Sequence, residues 1–153
     1  MTGVRDQPGD IDNLLMELEA NWEAPHLDFK QVLSIRHRED KAEFIKDVLG
    51  LVTTQGSSRR FLLIGWNDKT RTVEAPGVDP RITEDQLQQA LNAYCDPPPH
   101  LRYSPHLWRG VRVGLIEIIR ESIRLPYRVG KNIGARTAGE VFVRHGTIPL
   151  AET

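Results

Sequence analysis

Residues Phe61-Leu62-Leu63-Ile64-Gly65-Trp66 form an unbroken apolar run. The run is short, and polar residues bound it: Arg59-Arg60 before and Asn67-Asp68 after. It is too short for a core helix and too uniformly apolar for a strand with one wet face. A strand of this composition is buried on both faces. The rest of the chain must therefore supply apolar cover on two sides of it.

The cover is legible on either side of the run. Ile11, Leu14, Leu15, Leu18 and Trp22 recur at helical spacing, with Asp10 or Asp12 as cap candidates and Pro25 as the stop. Leu27 to Val32 reads as a short strand and Ser34 to Arg38 as a basic loop. A second helix opens on Glu39 and Asp40, where acids favour the helix dipole. Its stripe is Phe44, Ile45, Val48, Leu49 and Val52, and Thr54-Gln55-Gly56-Ser57-Ser58 ends it. After the apolar run, Asn67-Asp68-Lys69 turns the chain and Thr70 to Glu74 returns as a hairpin partner. Thr83 and Gln86 predict a capping box for a third helix built on Leu87, Ala90, Leu91 and Tyr94. Leu101 to Leu107 and Val111 to Arg120 read as antiparallel strands about Arg109-Gly110, and Val141 to Val143 as a last strand. The class is α+β: a mixed, largely antiparallel sheet with helices packed mainly on one face. Residues 1–9 are expected to be disordered and 10–153 to form one domain.

One helix separates the strand at residue 27 from the strand at residue 61, so a crossover can lay the two side by side. That places Glu23 and Asp28 before and on one strand and Asp68 just after the other. Clustered carboxylates repel, and a divalent ion relieves the repulsion. Glu23, Asp28 and Asp68 are thus candidate metal ligands for phosphodiester cleavage, with Lys30 on the same strand face as Asp28 to hold a phosphate or neutralise developing charge. The plainer reading makes Glu23 a helix-end surface acid, Asp28 the partner of Lys30, and Asp68 a turn former.

Net charge is −1 and the pI about 6.5, which is not the balance of a typical nucleic-acid binder. The distribution is uneven, however. Acids dominate residues 1–30, and arginines dominate residues 100–146. Arg36 and Arg38 lie in the loop before the second helix, and Arg59 and Arg60 in the loop after it. Arg124, Tyr127, Arg128, Lys131 and Arg136 share one long segment, with Arg144 and His145 beyond. Cations with an interleaved aromatic suit a phosphate backbone and an unstacked base. The plainer alternative is a solvated surface.

Other classes are set aside. No apolar run approaches the length of about 20 residues needed to span a membrane, and no signal-peptide core is visible, so a cytoplasmic location is expected. The one cysteine, Cys95, permits no internal disulfide and reads as a small buried residue. Trp22, Trp66 and Trp108 read as core. Gly130-Lys131-Asn132-Ile133-Gly134 lacks the Gly-Lys-Ser/Thr ending of a P-loop.

The motif order resembles the Schlafen-type AlbA-like domain, present in Schlafen proteins and in many bacterial regulators. That pattern has an acid, four residues, then Glu-Phe-Lys; here Glu23 is followed by Asp28-Phe29-Lys30. Its Asn-Thr-x-Gly-Gly turn corresponds to Thr53-Thr54-Gln55-Gly56-Ser57, and its Ile-Gly-Val-x-Asp strand end to Ile64-Gly65-Trp66-Asn67-Asp68. Gly77-Val78, Ser122 to Pro126 and Phe142-Val143-Arg144-His145-Gly146-Thr147 match three further motifs in order. Asp28 in place of Glu, and the altered turn, depart from the pattern. The resemblance implies nucleic-acid binding and, in nuclease members, cleavage of structured RNA such as tRNA with Mg²⁺ or Mn²⁺ held by the acids matching Glu23, Asp28 and Asp68. Three readings stay open: an RNA-directed, metal-dependent endoribonuclease; a non-catalytic DNA- or RNA-binding regulatory module; and a protein-interaction domain. RNA is favoured over DNA. Schlafen proteins join two such domains around RNA, so a homodimer is expected of a chain with one copy. Val111 to Ile119 and the termini are the candidate contacts.

Overall fold

The computed structural model describes residues 8–120, 126–145 and 148–152. Its elements run α1 (Pro8–Ala20), β1 (Leu27–Lys30), α2 (Arg38–Val52), β2 (Arg60–Ile64), β3 (Trp66–Asn67), β4 (Thr72–Val73), α3 (Glu84–Tyr94), β5 (Cys95–Asp96), β6 (His100–Trp108), β7 (Val111–Ile119), β8 (Arg128–Val129), β9 (Val141–His145) and β10 (Ile148–Glu152). The main sheet has the order β1-β2-β7-β6. β1 and β2 are parallel and the other pairs antiparallel. The α+β class, with its mixed and largely antiparallel sheet, is as expected.

The apolar run of residues 61–66 is buried throughout, as its composition requires. Alternation distributes it between two cores. Leu62 and Ile64 join Ile116, Ile118, Leu101 and Tyr103 against α2 and α3. Phe61, Leu63 and Trp66 join Val113 and Leu115 against Ile11, Leu15 and Leu18 of α1. Two helices thus cover one face and α1 the other.

Gly65 lets the chain leave β2 for β3. Its φ is 118°, and an added Cβ would come within 3.0 Å of Val113 Cγ1. Its N–H donates to Lys30 O at 2.8 Å, which ties the bend to the end of β1. The β6–β7 hairpin turns on Arg109 and Gly110, both with positive φ (49° and 81°). That is the mirror-image two-residue turn whose twist suits paired strands. The predicted capping box is present: Gln86 N–H donates to Thr83 Oγ1, and Thr83 N–H to Gln86 Oε1.

β6 is one rim of the sheet, and α3 covers its first half. Leu101 N–H donates to Gln88 Oε1 at 2.9 Å and Tyr103 N–H to Glu84 Oε1 at 2.7 Å.

Several expectations need correction. α1 begins at Pro8, so Asp10 sits within its first turn and neither Asp10 nor Asp12 is a cap; residues 1–7 lie outside the described part. The helix ends at Ala20, and Trp22 instead stacks on Phe29, with centroids 3.9 Å apart. β1 stops at Lys30, leaving Val32 exposed. β7 is an inner strand, paired with β2 and β6, so Val111 to Ile119 offers no open edge to a second subunit. Two pairings were not anticipated: β5 with β8, and the terminal hairpin β9–β10.

Candidate nucleic-acid interface

The three candidate metal ligands do not form a group that could hold a metal ion. Glu23 follows α1, is exposed, and pairs with Arg71. Asp28 sits mid-β1 with its side chain on the α2 face, where Lys30 Nζ approaches it to 3.9 Å. Asp68 is exposed in the turn after β3. That turn is formed by Asn67, whose Oδ1 accepts from the N–H groups of Lys69 and Thr70. Among the described residues, no three His, Cys, Asp or Glu side chains come together in a way that would hold a metal ion. Mg²⁺ requires several oxygens at about 2.0–2.1 Å in near-octahedral geometry. The expected convergence of Glu23, Asp28 and Asp68 is therefore corrected, and these residues do not fit the ion that the resemblance implies.

The fold brings a different acid to Asp28. Asp47 projects from α2 and is 7% exposed. Lys30 Nζ lies 3.6 Å from its carboxylate, so one ammonium is shared by Asp28 and Asp47. Burial, and then the charge of Asp28, push the Asp47 carboxyl up to about 7. The sequence carried a signal for it: position 47 lies one turn from Phe44 and from Leu51, on the apolar stripe of α2.

The arginines after α2 serve the fold. Arg60 is 8% exposed, and its Nη2 donates to Thr54 O at 2.7 Å and Gly56 O at 2.8 Å. It satisfies carbonyls of the turn that follows α2. Arg120, just past the end of β7, approaches the same two carbonyls and Val52 O. Arg59 makes a two-pronged pair with Glu117, both contacts 2.9 Å, and its guanidinium lies over the Phe61 ring. Tyr127 is 3% exposed within the core and offers no face to a base. Arg60 and Tyr127 are thus removed from the candidate interface. Arg136 lies over Phe142, 3.5 Å from Glu140. Arg128 is half-buried in β8 opposite Asp96. Arg124 falls outside the described residues, as do the side chains of Arg144 and His145.

Arg36 meets two further cations, Lys41 and Arg81, on one groove. It has a volume of about 530 Å³ and runs between the 33–36 loop, the first turn of α2, residues 79–82 and α3. Leu33, Ile35 and Ile82 form an aliphatic floor that packs on the core. Arg36, Lys41 and Arg81 line it, against one acid, Asp79. Asp79 and Arg81 pair at 2.9 Å, and the hydrogen bonds from Arg81 hold the Asp79 carboxyl below the usual range. That leaves the lining with a net excess of two positive charges, Arg36 also being close enough to Asp79 to help lower its carboxyl. At the α3 end, Lys131 Nζ stands 5.2 Å from the centre of the Tyr94 ring.

Local structure fixes this convergence. Ser34 Oγ donates to Asp40 at 2.9 Å and holds the loop against α2. Gly130 N–H donates to Tyr94 O at 2.7 Å, which brings Lys131 to the end of α3. Gly134 packs against the start of α2: an added Cβ would lie 3.0 Å from Ala42 Cβ and 3.3 Å from Arg38 O. Arg38, exposed on the first turn of α2, therefore adjoins the loop that carries Lys131. Lys41 and Arg81 carried no motif and were not anticipated.

Comparison with known proteins gives the fold company. No protein-family model and no curated protein matches the chain. Among solved structures, it is similar to the DIP2311 protein from Corynebacterium diphtheriae: TM-score 0.53 and 18% identity over 82% of this chain. The chain spans 24% of the length of that protein. It also aligns with the N-terminal domain of a RecG-related protein from Nitrosomonas europaea, named for an ATP-dependent DNA helicase. There the TM-score is 0.49 and the identity 19%, over 84% of this chain and 88% of that one. At these identities the likeness to the diphtheria protein shows a shared fold. No helix among the described residues is long and apolar enough to cross a membrane.

Proposed function

We propose that this chain binds nucleic acid, RNA in preference to DNA, with the face that surrounds the groove between α2 and α3. The observation that carries the reading is the meeting of Arg36, Lys41, Arg81 and Lys131, from four separate segments, about one cleft. A chain of net charge −1 has no general excess of cations to scatter there. Collected on one side, they supply the local positive field that a polyanion needs. The ordered resemblance to Schlafen-type AlbA-like domains supports the RNA preference. Metal-dependent cleavage by Glu23, Asp28 and Asp68 forms no part of the proposal, because those acids do not make a ligand set.

Binding measured by fluorescence anisotropy from 50 to 300 mM salt tests it, with a structured RNA and a DNA of the same sequence. Affinity should fall steeply with salt, by about 0.9 log units per log unit of salt for each duplex phosphate neutralised. The double variant Arg36→Ala/Lys131→Ala should flatten the slope by up to about two units. Arg59→Ala should change it little, since that guanidinium is engaged by Glu117. Binding that ignores salt, or a double variant with the parental slope, would overturn the proposal. Equal affinity for the DNA would overturn the RNA preference alone.

A further inference from the structure

We infer that the groove between α2 and α3 accommodates a single unpaired nucleotide, its base on the aliphatic floor and its phosphate at Arg36 and Lys41. This rests on the nucleic-acid reading above and specifies what that face selects.

The size is right for a small group. Ligand clefts range from about 300 to 1,000 Å³ and are mostly apolar, with a few placed polar groups; this one is about 530 Å³. Two turns of a peptide helix, a cylinder about 10 Å across and 11 Å long, would occupy roughly 850 Å³ and would lie across the cleft rather than in it.

The lining separates two kinds of contact. Leu33, Ile35 and Ile82 give a floor on which a base can exclude water. Gln86 and Gln89 of α3 stand on the wall, and an amide can both donate to and accept from a base edge. Gln86 is held by the capping box through its Oε1. Arg36 and Lys41 mark where the phosphate lies, on the side of the loop and α2. A base paired in a duplex presents neither a free face nor its pairing edge, so it cannot make these contacts without leaving the stack. An aliphatic peptide segment would find the floor. It would gain nothing from two amides and a net excess of two positive charges unless it were also acidic, so an acidic, Leu-rich peptide is one arm of the test.

The test fills the cleft without changing charge. Gln89 and Ala93 are both exposed on α3, so Gln89→Leu/Ala93→Leu keeps good helix formers and leaves the core alone. Circular dichroism and thermal melting confirm the fold. Three fluorescent probes are titrated at several salt concentrations from 50 to 300 mM: a 12-nucleotide single-stranded RNA, the same sequence as a duplex, and a 12-residue peptide of alternating Leu and Asp. The wild type should prefer the single strand. The variant should lose about tenfold for the single strand and nothing for the duplex, with an unchanged salt slope. If the variant binds the single strand as well as wild type does, or weakens both nucleic acids equally, the nucleotide site is wrong while nucleic-acid binding stands. If wild type binds neither nucleic acid in a salt-dependent way but binds the peptide, both readings fall.

Discussion

Asp47→Asn should abolish one component of the pH dependence of stability. The Asp47 carboxyl is raised from an ordinary 3.8 to about 7, by burial first and the charge of Asp28 second, against the opposing pull of Lys30 and Lys46. A carboxyl raised in the folded state favours folding while it is protonated in both states. Its contribution is complete below pH 4 and declines as pH rises, until the folded group has ionised above about 7. The shift is about three units at about 1.4 kcal/mol each, so ionising Asp47 costs the fold up to about 4 kcal/mol. Asparagine has nearly the same shape and never ionises. Urea unfolding of both proteins at pH 4, 5, 6, 7 and 8 gives the quantity needed: wild-type minus variant stability at each pH. Other carboxylates largely cancel in that difference. It should fall by up to about 4 kcal/mol across the series, mostly between pH 4 and 7. A difference flat to within about 0.5 kcal/mol would refute the reasoning and show that Lys30 keeps Asp47 ionised throughout.

Arg60→Ala should cost roughly 2–4 kcal/mol in a urea titration, because it strips hydrogen bonds from carbonyls of the turn that follows α2; at matched folded fraction, RNA affinity should not change. Glu19 accepts from both indoles, Trp66 Nε1 at 2.9 Å and Trp108 Nε1 at 3.3 Å, and pairs with Arg109. Glu19→Ala should therefore destabilise by about 2–3 kcal/mol and alter tryptophan emission at wavelengths that report both rings. Cys95 is 5% exposed with its thiol pushed up to about 12, so alkylation at pH 8 should be slow in the folded protein and fast in urea. Light scattering at micromolar concentration should give twice the 17.4 kDa chain mass, as a homodimer requires; the monomer mass would remove that expectation.

The elements most legible in the sequence were those whose signal is local. The β6–β7 hairpin announced itself through alternation about Arg109-Gly110, and α3 through a capping box that needs only Thr83 and Gln86. β5 and β8 could not be seen, because two residues carry no period and their pairing depends on contacts such as Gly130 N–H to Tyr94 O. The acids illustrate a second limit. Chain order placed Glu23, Asp28 and Asp68 near the ends of neighbouring strands, but strand pleat decides direction, and it turned Asp28 toward α2 and Asp47. Charge clustering in sequence misled in the same way. Arg59 and Arg60 are adjacent, yet one meets Glu117 and the other turns inward to hold the carbonyls of the turn after α2. Arg36, Lys41, Arg81 and Lys131 are scattered along the chain and meet only because three loops fold onto two helix ends.

The covered rim at β6 limits how the molecule can meet its own kind. Outward amides recur at every second residue of an edge strand. At Leu101 and Tyr103 they are taken by Gln88 and Glu84, and at the third such position Pro105 has no amide hydrogen at all. Only Leu107 remains beside the hairpin turn. The opposite rim, β1, is four residues long. A second chain seeking to extend this sheet therefore meets a ladder without rungs on one side and a very short one on the other. Nine residues of β-rich edge that would otherwise template runaway strand addition are quiet, and self-association is left to side chains. Glu84→Ala with Pro105→Val would restore two of the three missing rungs, at Tyr103 and at position 105, and turn that rim into an aggregation site.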